Sequence, residues 1–314
     1  MKQSLISVIM PCFNAEPFVE QAIESVFGQS HPSVELIVID DGSTDGSFQK
    51  LEEACKRFPG LKVIRQNNQG PYPARNLGIA SAQGDFVAFL DADDYWSPDC
   101  LEKLYNAMTS SDADISYCGW QNISEVDQNG PPYIPPAYED EDIISSFLTN
   151  CPWPIHAALV RRALIDRVNG FSTRYFSSMD YDFWLRLSAV SKKIIRVPEV
   201  LAFYRWHQYG QISSIKWKQV IDAWKVKKDF CKNHPDSIAH IPYEVRREVI
   251  DNFLITHAYT AFWKRDLVSA QQLFRVMFTS NTWRMKDLPY IATSFLTYRL
   301  FSSLVDYISN DTKK

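Results

Sequence analysis

Residues 86–98 read FVAFLDADDYWSP: five apolar residues, preceded by Gly84 and Asp85, run straight into three carboxylates within four positions. An apolar run of this length between turn residues is the pattern of a buried strand. Asp91, Asp93 and Asp94 then stand where that strand leaves its sheet. In open α/β sheets, ligands sit at the carboxyl ends of the strands. Carboxylates crowded at such a place repel one another unless a cation or solvent relieves them. Hard oxygen donors of this kind suit Mg²⁺ or Mn²⁺, most of all when a phosphate supplies further ligands. The plainer reading is an acidic loop ahead of a helix begun by Ser97 and Pro98, with Asp94 solvated.

The residues before this stretch alternate strand and helix. Apolar runs predict strands at 6–10 (stopped by Pro11), 34–39, 61–65 and 86–90, with another at 114–119. Helical periodicity follows Asn14, a candidate N-cap, and recurs over 47–58, 74–82 and 101–108. Alternation at this spacing makes an α/β fold with a mostly parallel sheet and flanking helices. No GxGxxG follows the first strand, which excludes the dinucleotide-binding fingerprint. Acid follows the second and fourth strands instead, as Asp40-Asp41 and Asp91-Ala92-Asp93-Asp94. A carboxylate accepts hydrogen bonds from the imide of a uracil or thymine base or from ribose hydroxyls, and a metal-bound pair holds a diphosphate.

The chain has 314 residues, enough for a large core with an appendage. Its net charge of −4 is unevenly spread: residues 215–314 carry 16 Lys and Arg against 10 Asp and Glu, a balance of +6, leaving −10 for residues 1–214. The acidic front argues against a nucleic-acid partner. None of the six cysteines forms a CxxC pair, so free cytoplasmic thiols are expected rather than a zinc site or disulfides. The apolar part of the N-terminus is too short for a signal peptide, and no 18-residue apolar run suggests a spanning helix. We expect a catalytic domain over 1–214 and a helical C-terminal extension over 215–314, with helices at 215–232, 243–263, 266–278 and 288–308. The last is apolar and aromatic; a packed bundle is the first reading, and peripheral contact with a membrane the second.

Five blocks in order carry a resemblance: SVIMPCFNAEPFVEQAIESVFGQS (7–30), ELIVIDDGSTDGS (35–47), NQGPYPARNLGIASAQGDFVAFLDADDYW (68–96), GFSTRYFSSMDYDFWLRL (170–187) and VLAFYRWHQYGQIS (200–213). Together they resemble family 2 glycosyltransferases of the GT-A type. The resemblance implies that Asp41 reads the base with Asp40 beside it, that Pro11 and Phe13 shape the pocket floor, and that Arg75 and Asn76 lie near the nucleotide. It makes Asp91 and Asp93 the DXD pair, with Asp93 the direct ligand of Mn²⁺ or Mg²⁺, and places His207 near diphosphate and metal, with Arg205 and Ser213 toward phosphate. Asp180 inherits the catalytic base, with Asp182 the fallback base or a brace for its helix. The family usually has an acid where this chain has Met179, and loss of that neighbour removes one means of raising the base's pKa.

Taken singly, each residue has a plainer reading: a capping turn for DGSTD, core and turn for Pro11 and Phe13, a surface charge for Arg75, macrodipole acids for Asp180 and Asp182. The resemblance implies an inverting enzyme moving a sugar from a nucleotide donor, UDP by default with dTDP and GDP open, to a glycan or lipid-linked saccharide. It also fits bacterial surface-polysaccharide synthesis at the cytoplasmic side, or the inner face of the membrane. Residues 120–150, with QNGPPYIPP at 128–136, would face the acceptor or form a plain surface loop, and CPWPIH (151–156) is similarly suggestive; Trp153 reads as core or sugar platform, and His156 as a packed histidine. Two rivals stand beside this. A sugar-phosphate nucleotidyltransferase should carry a glycine-rich basic loop where PCFNAEPF stands; a non-catalytic nucleotide-sugar or glycan-binding module is the reading toward which Met179 leans.

Overall fold

The computed structural model describes residues 4–124, 129–206 and 216–311. The chain forms two compact units, Met1–Arg174 with Met179–Tyr209, and Tyr175–Ser178 with Gly210–Lys314. The boundary expected at 214/215 falls outside the described residues.

The first unit runs β1 (Ile6–Cys12), α1 (Val19–Phe27), β2 (Val34–Asp40), α2 (Ser47–Arg57), β3 (Leu61–Arg65), α3 (Pro71–Ser81), β4 (Phe86–Phe89), β5 (Tyr95–Trp96), α4 (Cys100–Ser110), β6 (Ile115–Ser124), α5 (Ile143–Thr149), β7 (Ala158–Arg161), α6 (Arg162–Arg167), α7 (Met179–Val190) and β8 (Ile194–Trp206). Its sheet has the order β3-β2-β1-β4-β7-β6-β8-β5. β3, β2, β1 and β4 are parallel neighbours; β7 pairs antiparallel with β4 and β6, and β6 pairs parallel with β8. Strands β1 and β4 are buried along their whole length, as the near-continuous apolar runs require of strands covered on both faces.

Register aligns Cys12 with Asp40 and Asp40 with Arg65, so the carboxyl ends of three strands lie side by side. β4 stops three residues earlier along β1, at Ile9↔Phe89, and releases Asp91 beside them. That staggering explains why β1 continues through Pro11 rather than stopping there. Ile9 O accepts from Leu90 N and Cys12 O from Asp41 N, so alternation turns Pro11's missing N–H toward the side β4 has vacated.

Other boundaries differ for local reasons. Asn14 is no N-cap: it holds φ at 50°, its Oδ1 accepts from Thr44 N at 2.8 Å, and α1 begins only at Val19. α3 begins at Pro71 rather than Ala74, because proline is accommodated in a first helical turn, where no N–H partner is lost. α4 starts at Cys100, two residues beyond Pro98. β6 runs on to Ser124, and its register against β8 jumps from Cys118↔Val197 to Gly119↔Val200, a bulge that takes up Pro198.

An aromatic core seats α7. Phe183 stacks on Phe171 at 4.2 Å and meets Phe89 edge-on at 5.9 Å. Trp153 stacks on Tyr117 at 4.3 Å and is 5.5 Å from Trp184, a core residue as its size favours.

In the second unit α8 (Lys216–Asn233), α9 (Tyr243–Trp263), α10 (Leu267–Thr279) and α11 (Leu288–Ser294) pack around Trp224, Leu254, Leu273, Phe274 and Met277, and α12 (Tyr298–Asp311) seats Phe301 and Val305 against Leu267. The single helix expected over 288–308 is two. Arg275 Nε donates to Ser294 O and Gln271 Nε2 to Leu296 O, satisfying carbonyls that the break between α11 and α12 leaves open. Among the described residues no helix is long and apolar enough to cross a membrane.

Candidate active site

The strand ends carry the first part of the site. Asp40 is wholly buried, with Oδ2 3.0 Å from Arg65 Nε. Asp41 is nearly as buried and accepts three hydrogen bonds: Gln66 Nε2 (2.7 Å) and Gln69 N (2.9 Å) on Oδ1, and Gly70 N (2.7 Å) on Oδ2. A carboxylate has roughly four acceptor positions, so one on Oδ2 is left for a donor from a ligand. The loop 66–70 is thereby folded onto Asp41, with Gly70 at φ 92° in a conformation that favours glycine. Phe13 is 49% exposed just past β1, whereas Pro11 is buried within it.

The acidic turn resolves its crowding by sending its carboxylates different ways. Asp91, partly exposed, takes the guanidinium of Arg75. Arg75 is 4% exposed, lying 5.5 Å from the Tyr72 ring centroid and 5.6 Å from that of Phe171. It is thus no surface charge. Asp94 closes the turn through its N–H on Asp91 O, and its side chain points inward, 1% exposed, with Oδ2 3.1 Å from His156 Nδ1. That corrects the solvated reading. Burial pushes the Asp94 carboxyl up, and the adjacent His156 opposes the rise. Arg205 braces the turn from β8: its N–H donates to Asp94 Oδ1 (2.8 Å), its Nε to Asp93 O (2.8 Å) and its Nη2 to Gln21 Oε1 (2.5 Å).

Asp93 keeps part of its surface open. Two partly exposed carboxylates on one turn match the hard-donor set of Mg²⁺ or Mn²⁺, provided phosphate and water complete it. Among the described residues no three His, Cys, Asp or Glu side chains converge as a metal site. His207 and Ser213 lie outside the described residues.

α7 brings the third part. Met179 is fully buried, and its N–H donates to Tyr72 Oη at 3.4 Å. Burial raises the Asp180 carboxyl above the usual carboxylate range; the Tyr181 N–H and Arg75 oppose that rise, and Asp91 adds to it. Burial is the largest cause, so Asp180 is raised without an acidic neighbour at 179. Asp182 is occupied elsewhere, 2.9 Å from Arg174 Nη2 and 2.7 Å from Arg186 Nε. Arg186 in turn donates to the carbonyls of Val168 and Gly170, so Asp182 braces the helix. Asn76 is likewise a brace, its amide exchanging two 2.8 Å hydrogen bonds with the backbone of Phe171.

Arg75, Asp91 and Asp180, from α3, the β4 end and α7, therefore interact electrostatically as one cluster. Sequence reasoning missed Tyr72, the Gln66–Gly70 cradle and the Asp94–His156 pair. Tyr72 lay inside a matched block; backbone donors such as Gly70 N leave no residue signature.

The raised carboxyl has a consequence for stability. An unfolded aspartate ionises near pH 3.9, and the folded one higher, so the folded state holds the proton longer and loses stability as pH rises through that window. Asp180→Asn removes this penalty; thermal melts at pH 7 should show a Tm equal to or above wild type. A marked fall would mean that Asp180 is a structural ion-pair partner.

Comparison with known proteins follows this geometry. A family model described as Glycosyl transferase family 2 matches residues 7–180. The chain is 31% identical over 235 residues to the UDP-Glc:alpha-D-GlcNAc-diphosphoundecaprenol beta-1,3-glucosyltransferase WfgD of Escherichia coli, covering 74% of this chain and 89% of WfgD. It is 30% identical over 229 residues to the uncharacterized glycosyltransferase EpsJ of Bacillus subtilis, covering 69% of this chain and 65% of EpsJ. S. aureus TarS 1–349, solved with UDP-GlcNAc, aligns with a TM-score of 0.65 at 19% identity over 96% of this chain and 83% of that one. The mannosyltransferase PcManGT of Pyrobaculum calidifontis, solved with GDP-Man and Mn²⁺, aligns at 0.61 and 16% identity over 98% and 85%. The two solved structures share the fold, and the family model with the relative matched across most of both chains establishes that this chain is a glycosyltransferase of family 2.

Proposed function

We propose that the protein is an inverting transferase that moves a sugar from a nucleoside diphosphate to an acceptor hydroxyl in a single displacement. The observation that carries this reading is the ion pair of buried Arg75 with Asp91 at the end of β4, tied by Tyr72 to the start of α7, where Asp180 follows. Asp41 accepts from the base or ribose, and Asp40 and the Gln66–Gly70 cradle hold it in place. Asp180 takes the acceptor's proton as its oxygen attacks C1; the bond from C1 to the diphosphate oxygen breaks, and configuration inverts. Arg75 keeps Asp91 oriented at the turn. Mg²⁺ or Mn²⁺ held by Asp91 and Asp93, with His207 as a further donor, would neutralise charge on the departing diphosphate. The Mn²⁺ complex of PcManGT supports that metal class, and the complexes of TarS and PcManGT support a UDP or GDP sugar. WfgD's name supports a lipid-linked saccharide acceptor, which fits a role in polysaccharide synthesis.

Such an acceptor would bring the protein to the cytoplasmic face of a membrane. In the second unit, residues 295–300 (FLTYRL) are all exposed, four of them large and apolar or aromatic, with Arg299 among them. Contiguous surface of this kind suits an interfacial contact. Co-sedimentation with vesicles containing phosphatidylglycerol should fall by about tenfold when Leu296 and Leu300 become Ser, since each lost apolar contact weakens partitioning. Equal sedimentation of both would remove the membrane contact from the proposal.

For the base, Asp180→Asn should lower kcat by about 10²–10⁴-fold while nucleotide affinity stays within about threefold. The acid limb of the wild-type kcat/KM profile should lie above the ordinary carboxylate range, because activity needs ionised Asp180 and burial raises its pKa. A parallel loss of nucleotide affinity and rate would assign Asp180 to donor binding instead.

A further inference from the structure

We propose that an aromatic trough beside the acidic turn binds one pyranose ring of the acceptor by stacking, with Trp206 as its platform. The inference rests on the transferase reading above and names the place where the acceptor is held.

The trough is a concavity of about 250 Å³ lined by Trp120, Asn122, Cys151, Trp153, Tyr204 and Trp206. That is below the roughly 300–1,000 Å³ of a drug-sized ligand site and suits a single ring. Register explains why these side chains meet. β6 pairs with β8 as Trp120↔Ala202, Asn122↔Tyr204 and Ser124↔Trp206, so alternate residues of both strands share one face of the sheet. Tyr204 and Trp206 sit edge to face at 6.2 Å, and Trp120 packs on Tyr133 at 4.7 Å. Trp206 is 49% exposed, an indole that the fold leaves open at a rim where burial would otherwise be favourable.

A pyranose offers an apolar face of C–H groups and an edge of hydroxyls. The rings of the trough match the face, and the Asn122 amide, with donors and an acceptor, matches the edge. A nucleotide or a peptide carboxylate would need cationic partners here, and none of the lining residues is charged.

The trough is also mechanically continuous with the acidic turn. Tyr204 lies parallel to His156, with centroids 5.8 Å apart and planes 8° apart, and His156 Nδ1 is the group 3.1 Å from Asp94. Arg205, between the two trough aromatics, turns to the other side and holds Asp93 and Asp94. Alternation along β8 thus presents two rings to the trough and one guanidinium to the turn, so one strand sets both.

The test uses saturation-transfer NMR on the full chain with methyl glycosides of glucose, galactose, mannose and N-acetylglucosamine, and calorimetry with UDP and GDP plus Mn²⁺ on the same samples. At least one glycoside should bind wild type at about 20 mM or below, as single-ring contacts allow. Trp206→Ala should weaken it by about tenfold or more, as loss of a central aromatic contact does, and Trp206→Phe should recover most of it. Nucleotide affinity should be unchanged in both variants. Glycoside binding equal to wild type in both Trp206→Ala and Tyr204→Ala would overturn the proposal, as would no glycoside bound by a wild type that binds nucleotide. A wild type that binds glycoside but no nucleotide would sink the donor reading and leave the trough standing; one that binds neither would sink both.

Discussion

Arg75 is the charge around which this fold is arranged. It is almost wholly buried, and a guanidinium does not give up its proton, so its position is tenable only against an anion. Asp91 supplies that anion at the point where β4 ends, and the rings of Tyr72 and Phe171 supply the rest of the shell. Removing one partner of such a pair typically costs about 3–5 kcal/mol. The pair joins α3 to the end of β4, and Tyr72 extends the connection to the first residue of α7. Burial raises the carboxyl of Asp180 in the first turn of that helix, and the ion pair ties the acidic turn to the core.

The acidic turn shows how three carboxylates coexist within four positions. Each meets a different environment: Asp91 a guanidinium, Asp94 an imidazole in the interior, and Asp93 partial exposure to solvent. Repulsion is relieved by direction as well as by countercharge. The arrangement keeps Asp91 and Asp93 partly exposed, as the proposed cation site requires, and uses Asp94 to anchor the turn to β8 through Arg205. β8 thereby serves both the turn and the aromatic trough.

Much of the front sheet was legible in the chain because its strands are continuous apolar runs. β3 was read to the residue, and β2 and β4 to within one. β5 and β7 were not, being two and four residues long and recruited by neighbours far away in sequence. Pro11 misled because its harmlessness depends on β4 ending early, a fact of register. The break at 295–297 depends on side chains of α10 that periodicity within 288–308 cannot reveal. Within the site, the strand ends pointed to Asp41 and Asp91, while their roles and the choice of Asp180 came from block order. Their plainer readings as turn and helix-end acids fail for Asp41, which is buried, and for Asp91, which is the partner of a buried arginine. The donors that cradle Asp41 and the pairing of Asp94 with His156 are properties of the folded backbone.

The central claim is that the strand ends and the acidic turn together form a metal-dependent nucleotide site. Its most direct test is calorimetric titration of the purified, folded protein with UDP, dTDP and GDP, each with and without Mn²⁺, repeated with Asp93→Ala. The account expects one nucleotide to bind in a Mn²⁺-dependent manner and the variant to lose that dependence. No binding of any nucleotide, or binding indifferent to both Mn²⁺ and Asp93, would contradict it.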